Sequence, residues 1–173
     1  GYTSGWLNLG GIGPWRLPMS GEAIAPSAAP VVEENADSWL EFTDLVFIDP
    51  PGTGYGRILG NDDVRKRLFS VGGDLDALAT MIRRWIDANQ RNLSPKYLAG
   101  ESYGGFRVPK LAHLLQTDQG IGVNGLIMLS PVLDFSRFNL RSGLWDYVAR
   151  LPSYAATLRE TKGPVDRNQL KDV

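Results

Sequence analysis

The sequence has no cysteine and a single histidine, His113. The first absence excludes disulfides, thiolate metal sites and a cysteine nucleophile. The second excludes any site built from several histidines. Charge imbalance is lacking too: 18 Lys and Arg stand against 19 Asp and Glu, for a formal net charge of -1, with both signs mixed along the chain. That pattern carries no electrostatic footprint for nucleic acid or an anionic membrane surface, so neither is expected as a partner. No apolar run approaches the roughly 18 residues that a bilayer span requires. The opening "GYTSGWLNLGG" has no Met, no basic region and no cleavage pattern, and reads as a cut end rather than a signal peptide or a native start.

What is present suits one globular domain: 173 residues, 43% of them apolar, enough to bury a core. Residues 1–36 are marked by successive turn signals, "GGIGPW", "LPMSGE" and "APSAAP", and read mostly as loop. The run "DLVFID" from Asp44, closed by "PPGTGYG", predicts a buried strand ending in a tight loop. After a polar connector, "DLDALATMIRRWIDANQ" sets Leu75, Leu78, Ile82, Trp85 and Ile86 at helical spacing, with Asp74 as its N-cap. "KYLAG" predicts a second strand, and "SYGG" opens a helix with Val108, Leu111, Ala112 and Leu115 on one face. Pro109 is expected to kink or restart that helix. "VNGLIMLSP" predicts a third buried strand, and "DYVARLPSYAATLRE" one or two short helices. Strands alternating with helices predict an α/β fold, a mostly parallel sheet flanked by helices.

The stretch "KYLAGESYGGFRVPK" carries the chemistry. A sharp turn from strand into helix crowds its own backbone and requires small neighbours, and Gly100 and Gly104 flank Ser102 at i−2 and i+2. The serine hydroxyl is then held proud of the sheet edge, and the amide of Tyr103 faces the position of a tetrahedral oxyanion. Ser102 is the expected nucleophile and Tyr103 the expected backbone oxyanion donor. Glu101 either binds substrate or caps the following helix. Tyr55 and Trp6 either line the pocket or simply pack. "DPPGTGYGR" lacks the Lys-Ser/Thr ending of a phosphate loop and reads better as a wall of the site.

A serine nucleophile needs a base. His113 follows Ser102 by eleven positions on the same helix, about 16 Å away at the helical rise, on the side opposite the apolar face. It reads as an exposed helix residue. Asp134, just past the third strand, is the best-placed acid by topology, but without a histidine to orient it reads as a turn or cap residue. "RKR" at 65–67 reads as solvated surface, and Glu33–Glu34 as loop neighbours that diverge.

Together, "GESYGG" preceded by "YLAG" and followed by "VP", "FIDPPGTGYG" roughly fifty residues earlier, and "VNGLIMLSPVLDF" after it resemble the serine carboxypeptidase family of the α/β-hydrolase fold. "GYTSGWLNLGGIGPWRL" resembles the segment after that family's Gly-Gly-Pro-Gly motif. The resemblance runs from Gly1 to about Tyr154. It implies a partial α/β-hydrolase fold: an incomplete core segment over 1–135, then the start of a helical cap or insert over 136–173. It implies Ser102 as nucleophile, the Tyr103 amide as one oxyanion donor, and Glu101 as helping to bind the substrate's terminal carboxylate at acidic pH; Tyr55 and Gly104 are further expected substrate-binding positions. The substrate would be a peptide losing its C-terminal residue, with no cofactor and no metal, in an extracytoplasmic compartment. The second oxyanion donor and the triad Asp and His would lie outside these residues, leaving this chain inactive alone. Unpaired sheet edges would favour self-association or pairing with the missing segments. Gly11 stands where some members carry a second glutamate, which leaves the preference for a free carboxylate open. An esterase or acyltransferase on the same serine is the alternative, and a non-catalytic binding fragment a second one.

Overall fold

The computed structural model describes residues 3–18, 31–135, 144–166 and 168, and divides the chain into two compact units, Gly1–Pro131 and Val132–Val173. The division expected after Phe135 falls beside residues 136–143, outside the described set.

In the first unit the described part of the N-terminal segment contains regular elements where its turn signals suggested loop, while "APSAAP" and most of "LPMSGE" lie outside the described residues. A helical turn α1 (Gly5–Leu7) continues as a π-helical turn over Asn8–Ile12, and two short strands, β1 (Trp15–Arg16) and β2 (Glu33–Glu34), pair antiparallel. Buried Asn35 accounts for this order. Its side-chain amide donates to the carbonyls of Gly11 and Gly13, at 2.8 Å each, and its carboxamide oxygen accepts from the amide of Asp37. One polar side chain thus satisfies three backbone groups that a loop would leave bare. Glu33 and Glu34, as strand neighbours, project to opposite faces.

The polar connector contains a helix, α2 (Asp62–Leu68). Asn61 caps it by accepting from the amide of Val64, Asp62 and Asp63 sit in its first turn, and Arg65, Lys66 and Arg67 in its last, as the helix dipole favours. The long helix α3 (Val71–Ala88) begins one turn earlier than expected. Its N-cap is Ser70, whose hydroxyl accepts from the amide of Gly73, and not Asp74, which is buried in the first turn. Ser70 wins because an N-cap side chain must reach the amide two or three residues on, and only Ser70 precedes the first helical residue.

Strand β3 (Tyr97–Glu101) runs directly into helix α4 (Tyr103–Thr117), and β4 (Gly125–Leu129) returns parallel to β3 in the register Tyr97 to Gly125 through Glu101 to Leu129. α4 is continuous through Pro109, whose missing N–H forgoes only the bond to Gly105. The predicted apolar face of α4 is buried: Val108, Leu111, Ala112 and Leu115 are all at most 7% exposed. With Leu78, Ala79 and Ile86 of α3 and Ile121, Leu111 and Leu115 form the core, against which Leu75, Ile82, Trp85, Leu98 and Ile48 pack.

Two expectations about strands are corrected. The segment from Asp44 to Asp49 joins no sheet among the described residues. Ile48 touches the core and Asp44 pairs with Arg91 at 3.0 Å, but a strand also needs a laddered neighbour, and β3 and β4 ladder only with each other. β4 is not fully buried either: Leu126, Met128 and Leu129 are each more than 40% exposed, because helix α4 contacts the sheet from one side.

In the second unit, α5 (Leu144–Glu160) is a single helix with Pro152 inside it. Tyr147, Leu151, Tyr154 and Leu158 recur at helical spacing, and each is more than half exposed. No helix among the described residues is long and apolar enough to cross a membrane.

Candidate active site

Between the last residue of β3 and the first of α4 lies one residue, Ser102. It adopts φ 56°, ψ −114°, a region that non-glycine residues rarely occupy and that costs on the order of 1–3 kcal/mol. Two backbone bonds hold it there: its amide donates to the carbonyl of Leu129 at 2.9 Å, extending the β3–β4 ladder by one rung, and its carbonyl accepts from the amide of Gly105 at 3.0 Å. The hydroxyl caps nothing, and the residue is exposed. A strained, exposed serine whose side chain has no structural task is the conformation of a nucleophile elbow.

The glycines divide the work differently from the expected i−2, i+2 pair. A Cβ on Gly100 would run into the carbonyl of Gly104 and lie 2.7 Å from a methyl of Val108, so helix α4 presses directly on the strand at this point. A Cβ on Gly105 would meet Pro131 Cα at 2.7 Å. On Gly104 it would meet nothing within 4 Å. Gly100 and Gly105 are therefore the sterically required pair, while Gly104 opens onto free space beside the serine.

Glu101 is half-buried, and among the described residues its carboxylate accepts no hydrogen bond and forms no ion pair. The local cap it could have made on α4 is not made. His113 is exposed, as its helical phase predicted. Asp134 is exposed and belongs to the second unit. Trp6 is half-exposed, with its ring 3.5 Å from where a Cβ on Gly10 would stand.

Tyr55 tops the glycine loop with its side chain almost wholly exposed, at 98%. Its backbone is fixed by Asp49, whose carboxylate accepts from the Tyr55 amide (3.0 Å), the Ser4 amide (2.8 Å) and the Ser4 hydroxyl (2.9 Å). The Tyr55 amide, and after it the Ser4 amide, hold the Asp49 carboxyl below its ordinary range, against the opposing effect of burial. Because the folded pKa is the lower one, this anchor contributes in full above the unfolded value of about 3.9 and is lost as pH falls through the folded pKa. Asp49→Asn is accordingly expected to lower stability to urea at neutral pH, with the gap to wild type closing below about pH 4 as the wild-type carboxylate protonates; a gap independent of pH would contradict this. The same loop, with Arg57 and Arg65, lines a shallow pocket of about 340 Å³ along Gly52, Gly54, Gly56, Ile58 and Leu59. Neither Ser102, Glu101 nor Tyr103 lines it.

One feature of the site went unanticipated. Arg107 forks onto Asp74, Nε to Oδ2 at 2.6 Å and Nη2 to Oδ1 at 3.1 Å, with both side chains largely buried. The same guanidinium lies 4.9 Å from the centre of the Tyr103 ring, which in turn meets the Phe106 ring at 5.5 Å. The signal was present in the sequence: each charge sits one turn before a core leucine, Asp74 before Leu78 and Arg107 before Leu111, so opposite charges occupy facing apolar stripes.

A family model described as serine carboxypeptidase matches residues 9–161. The chain belongs to the serine carboxypeptidase family. Membership places the β3–Ser102–α4–β4 unit within an α/β-hydrolase fold. Among similar proteins, the pheromone-processing carboxypeptidase KEX1 of Yarrowia lipolytica is 33% identical over 104 residues, which cover 60% of this chain and 16% of that protein. Its counterpart in Arthroderma benhamiae is 31% identical over 117 residues, 66% of this chain and 17% of that protein. Serine carboxypeptidase-like 13 of Arabidopsis thaliana is 26% identical over 112 residues, 62% and 25% of the two chains. The matched region thus spans between a sixth and a quarter of the length of these relatives.

Proposed function

We propose that the protein carrying this chain is a serine-type carboxypeptidase that releases C-terminal residues from peptides through an acyl-enzyme on Ser102. The observation that carries the reading is the strained, exposed serine at the strand-to-helix turn, with its hydroxyl engaged in no cap. Ser102 Oγ attacks the carbonyl carbon of the last peptide bond while a base takes the hydroxyl proton. The oxyanion accepts from the amide of Tyr103 at the N-terminus of α4. The C–N bond then breaks as the base returns its proton to the leaving amine, and water attacks the ester by the same steps in reverse, freeing Ser102. His113 faces away on α4, so the base and its orienting acid come from parts of the protein outside these 173 residues. On this reading the chain by itself turns over no substrate.

Glu101 binds the terminal carboxylate of the peptide, a contact between two carboxyl groups that requires a shared proton and so favours acidic pH. Gly104 and Tyr55 line the approach to the serine, the first by leaving space and the second by exposing its ring. An extracytoplasmic compartment and a peptide partner accompany this reading. A second reading, an esterase or acyltransferase on the same serine, is favoured by one observation: Gly11 offers no carboxylate to join Glu101. The deciding experiment compares the full-length protein on peptides with free and amidated C-termini and on small esters. Release confined to free C-termini supports the carboxypeptidase. Turnover of esters and amidated peptides without that preference supports the alternative, and absence of all three activities overturns both.

A further inference from the structure

We propose that the buried Asp74–Arg107 pair is a positioning device for the nucleophile turn, setting the rotation of α4 that aims the Tyr103 amide and Ser102. The inference rests on Ser102 being the nucleophile. A non-glycine residue persists at φ 56°, ψ −114° only if its surroundings over-determine it. On the strand side that is achieved by the bonds of Ser102 to Leu129 and Gly105. On the helix side, Tyr103 is the next residue, and its ring contacts both the guanidinium of Arg107 and the ring of Phe106. Arg107 is itself fixed in plane by two bonds to one carboxylate of α3, at 2.6 and 3.1 Å. A planar fork on a carboxylate permits one orientation, which a lysine or an apolar contact does not impose.

Stability alone does not account for such a pair. Apolar residues of similar volume fill buried ion-pair sites as well or better, so the gain from the charges is in specified geometry. The pair also stands where geometry matters, one helical turn after the residue that follows Ser102. A displacement of about 1 Å at a reacting group is enough to cost on the order of 100-fold in rate.

The test uses the full-length protein with three changes: the apolar double replacement Asp74→Leu/Arg107→Met, the single Arg107→Lys, and Ser102→Ala as reference. The readouts are the second-order rate of labelling by a fluorophosphonate probe, kcat and KM on a free-C-terminal peptide, and the melting temperature. The double replacement is expected to melt within a few degrees of wild type yet label and turn over roughly 10- to 100-fold more slowly, with KM within about twofold. Arg107→Lys, which keeps the charge but loses the fork, is expected to show the same kcat-weighted loss to a smaller degree. Wild-type labelling by a folded double variant, or a loss confined to KM, overturns the inference. Should the double variant not fold, Arg107→Lys decides alone, and labelling at the wild-type rate overturns it. If Ser102→Ala labels like wild type, the nucleophile reading itself has failed; if only the pair variants do, that reading stands without the positioning role.

Discussion

Ser102→Ala in the full-length protein is expected to lower turnover by about 10⁴- to 10⁶-fold with little change in KM, the loss seen when a unit of nucleophile and base is broken. The residual rate would come from whatever substrate alignment and oxyanion stabilisation survive. The backbone supplies an opposite expectation for stability. At φ 56° any side chain is strained, and glycine is not. Ser102→Gly is therefore expected to be as inactive as Ser102→Ala while being more stable than it, by on the order of 1 kcal/mol, measured by urea denaturation. The pair of variants separates two properties of one residue: the hydroxyl to which the proposed reading gives the chemistry, and the strained conformation that presents it. Unchanged turnover in Ser102→Ala would dismiss the nucleophile. Equal stability of the two variants would mean that the turn does not hold the residue at the conformation described.

Much of this was legible from residues alone, and the limits have physical causes. The helix stripes read true because burial of one face imposes a period of 3.6, and Leu78, Ile86, Leu111 and Leu115 all sit in the core. Strands β3 and β4 were legible as strands because each is an apolar run ended by turn chemistry beside the elbow, although the burial expected of β4 is not found. "DLVFID" has the same composition but no ladder among the described residues, since sheet membership depends on a neighbour that composition does not name. Helix α2 has end signals in Asn61, two aspartates and three basic residues, but its apolar stripe is too short to show a period. Asp74 resembles a cap because it is acidic and near a helix start. Its actual partner, Arg107, is distant in the chain, and pairing across α3 and α4 follows only from how they pack. At the site the serine and its turn were visible, but the allocation of glycines was not: spacing shows that small residues are needed nearby, and only the backbone shows which one is pressed.

Gly100→Ala is expected to destabilise the protein by about 3 kcal/mol or more, at or beyond the upper end of the usual overpacking cost. The reason is that the added methyl meets the Gly104 carbonyl and a Val108 methyl rather than a flexible chain end. Backbone against backbone, the strand and helix can only move apart, and the residue between them is Ser102. Labelling of the serine by a fluorophosphonate should fall together with stability. Gly104→Ala should behave in the opposite way. Its Cβ enters open space and its backbone is helical, so alanine's better helix propensity, up to about 1 kcal/mol, leaves stability unchanged or raised. Any loss it causes should appear as a raised KM, because the methyl would occupy room that the bound substrate needs. The contrast is measured by urea denaturation and peptide kinetics on the two variants side by side. Comparable destabilisation by both would return the elbow to the symmetric pair that spacing suggests; a stable Gly104→Ala with unaltered KM would remove Gly104 from the substrate's path.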